Sequence, residues 1–156
     1  MGKALRKVFQ GIVILVAGTA AMAHDNATLD TMTAPHHGQL RMAGPYHFEL
    51  VLGRAPGGKS RVSVYVTDHM GVPSVIQGGY ATAHCTAGET VTTVLLQQRA
   101  PDRFEGVGVV PRSPTLACVV SLEYPDGTLW AAQFTPRAPR AQGASQQAIP
   151  QGTPRN

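Results

Sequence analysis

The side chains of this chain that could do chemistry are histidines and methionines, crowded into its first half. His36, His37 and His47 lie in one short segment, and Met70 directly follows His69. Imidazole and thioether ligands together suit copper, because imidazole serves both oxidation states and thioether favours Cu(I). Imidazole alone also suits zinc, nickel or cobalt. This distribution predicts a transition-metal site, with copper as the first choice.

Two strands must bring these residues together. Apolar and polar residues alternate with a period of two over residues 46–52 and again over residues 62–67, which predicts two β-strands. A Gly- and Pro-rich turn separates them, so we expect a hairpin in which the start of the first strand lies beside the end of the second. That pairing brings His47 close to Asp68 and His69.

The loop before the first strand can fold back to the same edge, so several ligands can gather at one end of the domain. A neighbouring carboxylate can orient a metal-binding imidazole by accepting the N–H of its other ring nitrogen. We expect the metal ligands to be His36, His47, His69, His37, Met42 and Met70, supported by Glu49 and Asp68. The alternative is that these histidines are solvated and the methionines fill the core. We expect His84, beside Cys85, to be structural.

The remaining sequence also predicts strands. Short β-branched segments alternate with Gly, Pro and Asp turns, and they cover residues 39–42, 79–85, 90–97, 104–110, 116–123 and 129–134. We therefore expect an all-β fold, an immunoglobulin-like antiparallel β-sandwich of seven or eight short strands. The likeness to immunoglobulins is one of architecture only, because the single tryptophan, Trp130, lies on the last predicted strand.

The chain divides into four segments. Residues 1–23 combine a basic start, an apolar run and a small-residue cleavage motif, which predicts a signal peptide with a helical apolar segment. The alternative is an uncleaved anchor, although the run is shorter than the roughly 20 residues of a span. Residues 24–35 form a polar arm, 36–134 the sandwich and 135–156 a Pro- and Gln-rich tail that we expect to be disordered. We expect a periplasmic or secreted protein that does not span the membrane after cleavage.

Two further features depend on this location. Cys85 and Cys118 would form a disulfide in an oxidising compartment, and they lie on separate strands that it could join across the two sheets. Free thiols and thiolate metal ligands are the alternatives. Cleavage after Ala23 would make His24 the first residue, whose amine and imidazole could chelate copper with a second histidine, an arrangement called a histidine brace.

Charge and motifs argue against other functions. The formal net charge is +4, but the segment 24–134 holds seven Lys and Arg against nine Asp and Glu, a net charge of −2. Its basic residues are scattered along the sequence, so we expect no nucleic-acid partner. We expect no enzyme, because GxSxG, HExxH, phosphate-loop and GxGxxG motifs are absent. The alternative to metal binding is a metal-independent structural or interaction module that docks to an envelope complex.

Two linked motifs, "APHHGQLRMAGPYHFELVL" and "VSVYVTDHMGVPS", lie within residues 34–76. They resemble a His-Gly-Gly…Tyr-His-x-Glu-Leu-Val…Asp-His pattern of small periplasmic proteins that accompany heavy-metal and copper resistance systems. The resemblance implies a β-sandwich similar to YtkA-like and CopC-like domains, and a metal-efflux adaptor or another periplasmic metal protein as partner. Carried over residue by residue, it points to His36, His47, His69, Glu49 and Asp68. His37 stands where the pattern has Gly, which either adds a ligand or strains the turn.

Overall fold

The alternating segments do form strands, and the fold is all-β, as the sequence predicts. The computed structural model describes residues 26–137, so the signal peptide, His24 and the tail beyond residue 137 lie outside the described residues. The elements are α1 (Asn26–Thr31), β1 (Gln39–Ala43), β2 (Tyr46–Arg54), β3 (Ser60–Thr67), β4 (Tyr80–Ala87), β5 (Thr90–Ala100), β6 (Arg103–Gly108), β7 (Ala117–Glu123) and β8 (Leu129–Phe134).

The strands form an antiparallel sandwich that closes almost like a barrel. Their order is β1-β2-β3-β6-β5-β4-β7-β8, and β5 is shared, since residues 90–96 pair with β4 and residues 97–100 pair with β6. The outer strands β1 and β8 approach one another, and the Thr135 N–H donates to the Gln39 side-chain oxygen at 2.8 Å. This contact ties together two strand edges that would otherwise be open.

The core lies between the layers and follows from the period of two. Phe48, Phe104 and Phe134 are fully buried, with the valines and leucines of β2, β3, β5 and β7 packed between them. Burying each large side chain contributes about 1.5–3 kcal/mol. The same alternation turns His47 and Glu49 of β2 away from this core, to the outer face of the sheet.

The two cysteines form a disulfide, as predicted, but it does not join the two sheets. Cys85 of β4 and Cys118 of β7 are direct partners on neighbouring strands, and both are fully buried. They occupy inward-facing positions of paired strands, so the bond crosses one strand pair within a layer. Our expectation of a link between the sheets was wrong because the sequence does not reveal which strands pair.

The segment before β1 has more structure than its polar composition suggests. It forms the six-residue helix α1, which is too short to show a helical period. Leu29 and Ala34 are 2% exposed and pack with Leu40, while Arg41 donates to Asp30 at 2.7 Å. We call residues 26–38 the N-terminal cap, because they cover the outer face of β1 and β2. No helix within residues 26–137 has the length and apolar character needed to cross a membrane.

Candidate functional site

The candidate site lies on the outer face of β1, β2 and β3, beneath the N-terminal cap. Strand register aligns Met42, His47 and Thr67 in one row across the three strands. The next row contains Glu49, flanked by Leu40 and Tyr65. The predicted β2–β3 hairpin is therefore confirmed, and with it the approach of His47 to the end of β3.

Glu49 anchors the cap to the sheet. One carboxylate oxygen accepts the backbone N–H of His36 at 2.9 Å and of Gly38 at 2.8 Å. The other oxygen lies 2.9 Å from His36 Nδ1. Glu49 is 2% exposed, so these three bonds compensate for burying its charge. Glu49 thus orients the His36 imidazole, and its role in supporting a metal ligand stays a prediction.

His36 is held between this carboxylate and an aromatic ring. Its imidazole stacks on Tyr65, with ring centroids 3.5 Å apart and planes within 5°. In the neutral ring, a proton on Nδ1 faces Glu49, which leaves the Nε2 lone pair as the one able to bind a metal. His36 is not among the residues that line the cavity of His47 and His69.

His47 and His69 meet edge to face, with ring centroids 5.2 Å apart and an interplanar angle of 84°. His47 pairs with Thr67, and His69 follows Thr67 by two residues, which brings the second imidazole over the first. His47 is 6% exposed, whereas His69 lies in the exposed loop after β3. One imidazole is therefore held within the protein and the other can be reached from solvent.

The two rings line a cavity of about 190 Å³ that also contains methionine side chains. Met32 of the cap is 50% exposed and Met70 of the β3–β4 loop is 86% exposed. The remaining residues that line the cavity are Thr33, Pro35, Leu40, Glu49, Thr67 and Gly71. The cavity thus offers two imidazoles and two thioethers, a donor set typical of copper sites. Met32 was not among the predicted ligands, because α1, which positions it, was not expected.

Asp68 forms the turn that follows β3, and its role in supporting a metal ligand stays a prediction. Its Oδ1 accepts the backbone N–H groups of Met70 at 2.8 Å and Val72 at 2.9 Å. This is the turn-forming arrangement typical of Asp in loops. Asp68 therefore shapes the loop that presents His69 and Met70, and influences the cavity through that loop.

Of the other predicted residues, His37 and His84 are not among those that line the cavity, whereas Met42 is the direct β1 partner of His47. His37 ends the Ala34–His37 turn with a φ of 60°, the left-handed region that Gly would occupy without strain. Met42 packs against the small cluster that includes Leu29 and Leu40. His84 is exposed on the outer face of β4, where it hydrogen bonds to Thr93 at 2.9 Å.

His47 and His69, two of the three principal ligand candidates, therefore lie in contact. The third, His36, contacts Glu49 and Tyr65 instead. Within residues 26–137 no group of three or more His, Cys, Asp and Glu side chains lies close enough to hold one metal ion. The six-residue ligand set remains a prediction, narrowed by the geometry to His47 and His69 with the methionines of the same cavity.

Fold and site together define a small disulfide-bonded antiparallel β-sandwich protein with a histidine- and methionine-lined cavity under its N-terminal cap. Comparisons with protein-family models, with curated proteins and with solved structures find no match to this chain.

Proposed function

We propose that this protein binds a transition-metal ion, copper first, in the cavity of His47 and His69. The observation that carries the proposal is the contact of the two imidazoles, 5.2 Å apart, in a cavity that Met32 and Met70 also line. Imidazole and thioether donors together favour Cu(I), while zinc, nickel or cobalt would use the imidazoles alone. The proposal is one of binding without catalysis.

The residues that line the cavity have different roles in the proposed metal binding. His47 is the buried ligand, His69 is the accessible one, and Met70 at the mouth is the first donor that an arriving ion meets. A site with a buried and an exposed donor suits an ion that must enter and leave. We therefore propose sequestration or handover, with a metal-efflux adaptor or another periplasmic metal protein as the partner.

A periplasmic or secreted location belongs to the same proposal. It is supported by the Cys85–Cys118 disulfide, because such bonds persist in oxidising compartments. It is also supported by the leader-like sequence of residues 1–23 and by the resemblance of residues 34–76 to metal-resistance proteins.

Metal titration of single variants tests the proposal. We expect the wild-type protein to bind one Cu(I) per chain with a Kd below about 10 μM. His47→Ala and His69→Ala should each weaken binding at least tenfold, whereas His84→Ala serves as the matched control, since His84 is an exposed histidine on β4. Parallel titrations with Cu(II) and Zn(II) identify the preferred ion. Binding weaker than 10 μM for all three ions, or affinity unchanged in both cavity variants, would contradict the proposal.

A metal-independent interaction module is the second candidate, and one surface favours it. The outer face of β4, β5, β7 and β8 carries apolar side chains, among them Leu95 (74% exposed), Val91 (58%) and Leu129 (56%). Exposed apolar side chains grouped on one sheet face are typical of docking surfaces. This candidate predicts a Tm that metal leaves unchanged and a protein partner whose binding is lost in Leu95→Asp.

A further inference from the structure

A second cavity, unrelated to the histidines, has three arginines in its wall. Arg54, Arg112 and Arg137 line a space of about 190 Å³ together with Leu52, Gly53 and Ser60. Arg54 ends β2, Arg112 lies between β6 and β7, and Arg137 follows β8. The sequence separates these residues widely, so their common place in one cavity wall could not be predicted from their spacing.

This cavity lies at the opposite end of the sandwich from the candidate metal site. His47 stands near the start of β2 and Arg54 at its end. Seven residues of strand at about 3.3 Å each separate their backbones by roughly 23 Å. A ligand in the arginine-lined cavity therefore does not contact the two imidazoles, and the two sites can be tested independently.

The positive charge of this cavity is not neutralised within the described part of the chain. Of the described residues that line it, none is acidic. The ion pairs within residues 26–137 involve His36, Arg41 and Arg61, and none involves the three arginines of the cavity. An anion bound in this cavity would therefore meet positive charge, and no negative charge, from the described residues that line it.

A neighbouring cavity gives this site room for an uncharged group. It has a volume of about 160 Å³ and shares Leu52 and Arg137 with the first cavity. Its other lining residues are His37, Gly38, Gln39, Leu50, Val51 and Pro136, so polar groups and apolar side chains both face it. A ligand whose anionic group lies between the arginines can thus place its apolar part against Leu52 and Pro136.

We propose that the arginine-lined cavity binds a small molecule that carries a phosphate monoester. Guanidinium groups donate paired N–H bonds that match the oxygens of a phosphate, and Arg is preferred where such paired recognition is needed. Three guanidinium groups complement the double negative charge of a phosphate monoester better than the single charge of a carboxylate. The adjoining cavity lets an organic group contact Leu52 and Pro136, contacts that inorganic phosphate does not reach, so the site should favour an organic phosphate.

Calorimetric titration with three probes tests this proposal: phenyl phosphate, inorganic phosphate and benzoate. We expect phenyl phosphate to bind most tightly and benzoate most weakly. Arg54→Gln and Arg112→Gln should each weaken phenyl phosphate binding about tenfold, the effect of losing one bond between charged groups. Arg99→Gln is the matched control, because it removes the same charge from an exposed arginine of β5 and should change affinity less than twofold.

The same experiment can overturn the proposal. Equal weakening by Arg99→Gln and Arg112→Gln would show a response to net charge rather than to a site. A Kd for phenyl phosphate above about 1 mM at 0.1 M salt would also contradict it, since surface attraction is largely screened there. Equal affinity for phenyl phosphate and inorganic phosphate would refute the contribution of the neighbouring cavity. The three substituted arginines are exposed, so we expect each variant to fold with an unchanged Tm.

Discussion

Glu49→Ala should release the N-terminal cap from the sheet. The variant loses the three hydrogen bonds that the buried carboxylate accepts from His36 and Gly38. A hydrogen bond to a charged group contributes about 1.5–3 kcal/mol. The His36 side chain is 44% exposed, so water replaces part of its bond. The free energy of unfolding should therefore fall by about 3 kcal/mol, the lower end of the range for the two backbone bonds alone, with the bond to the exposed imidazole left out.

Urea unfolding followed by circular dichroism and by the fluorescence of Trp130, the single tryptophan, measures this loss. At about 4 °C per kcal/mol for a domain of this size, Tm should fall by roughly 12 °C. Glu89→Ala is the control, because Glu89 lies exposed in the β4–β5 turn and should change stability by less than about 0.5 kcal/mol. A loss below about 1 kcal/mol in Glu49→Ala would refute the anchoring role of the carboxylate.

Glu49→Gln removes the negative charge of this side chain but keeps its size, so it tests what the charge contributes. The amide oxygen can still accept both backbone N–H groups, whereas the amide NH₂ must then face His36 Nδ1. His36 should respond by moving its proton to Nε2, so that Nδ1 accepts. Nitrogen NMR of the imidazole should show this change of tautomer, and an unchanged tautomer would show that Glu49 does not set it.

Three further predictions concern the scaffold. Gly44→Ala should lower the free energy of unfolding by more than about 2 kcal/mol, because Gly44 has a φ of 60° and an added Cβ would overlap the ring of Trp130. Urea unfolding measures this effect, and a decrease under about 0.5 kcal/mol would contradict the close packing of Gly44 on Trp130. The double substitution Cys85→Ala and Cys118→Ala should cost about 3–4 kcal/mol, since the bond closes a loop with a sequence separation of 33, and treatment with a reductant should give the same loss. Hydrogen bonds from Thr128 lower the pKa of Asp126, so the ionised carboxylate stabilises the folded protein above about pH 4, and this stabilisation is lost as the pH falls through the lower folded value. Asp126→Asn should therefore flatten the acid side of the curve of unfolding free energy against pH. An unchanged curve would contradict this prediction.

The strands and the hairpin could be predicted from the sequence because they depend on local alternation. Residues 46–52 and 62–67 alternate cleanly, and their pairing placed His47 beside the end of β3. The edge contact of His47 with His69 follows from that register. The contact of His47 with His69 could therefore be predicted, because it depends on the β2–β3 hairpin alone.

The remaining features depend on contacts between distant segments. Glu49 occupies an outward-facing strand position, which indicates a solvated residue unless another segment covers it. That cover comes from the cap, in which Leu29 and Ala34 supply the apolar contacts within a polar stretch. No local period reveals such isolated apolar residues. In the same way, Arg54 and Arg112 line one cavity only because segments far apart in the sequence converge there.

The most direct test of the metal-binding account is a crystal structure of the Cu(I)-loaded protein, with anomalous scattering recorded at the copper edge. The account predicts one anomalous peak in the cavity, about 2.0–2.3 Å from a ring nitrogen of His47, a ring nitrogen of His69 and at least one methionine sulfur. A peak on His36, His37 or His84 in place of this position would contradict the account, as would crystals that take up no copper in the cavity.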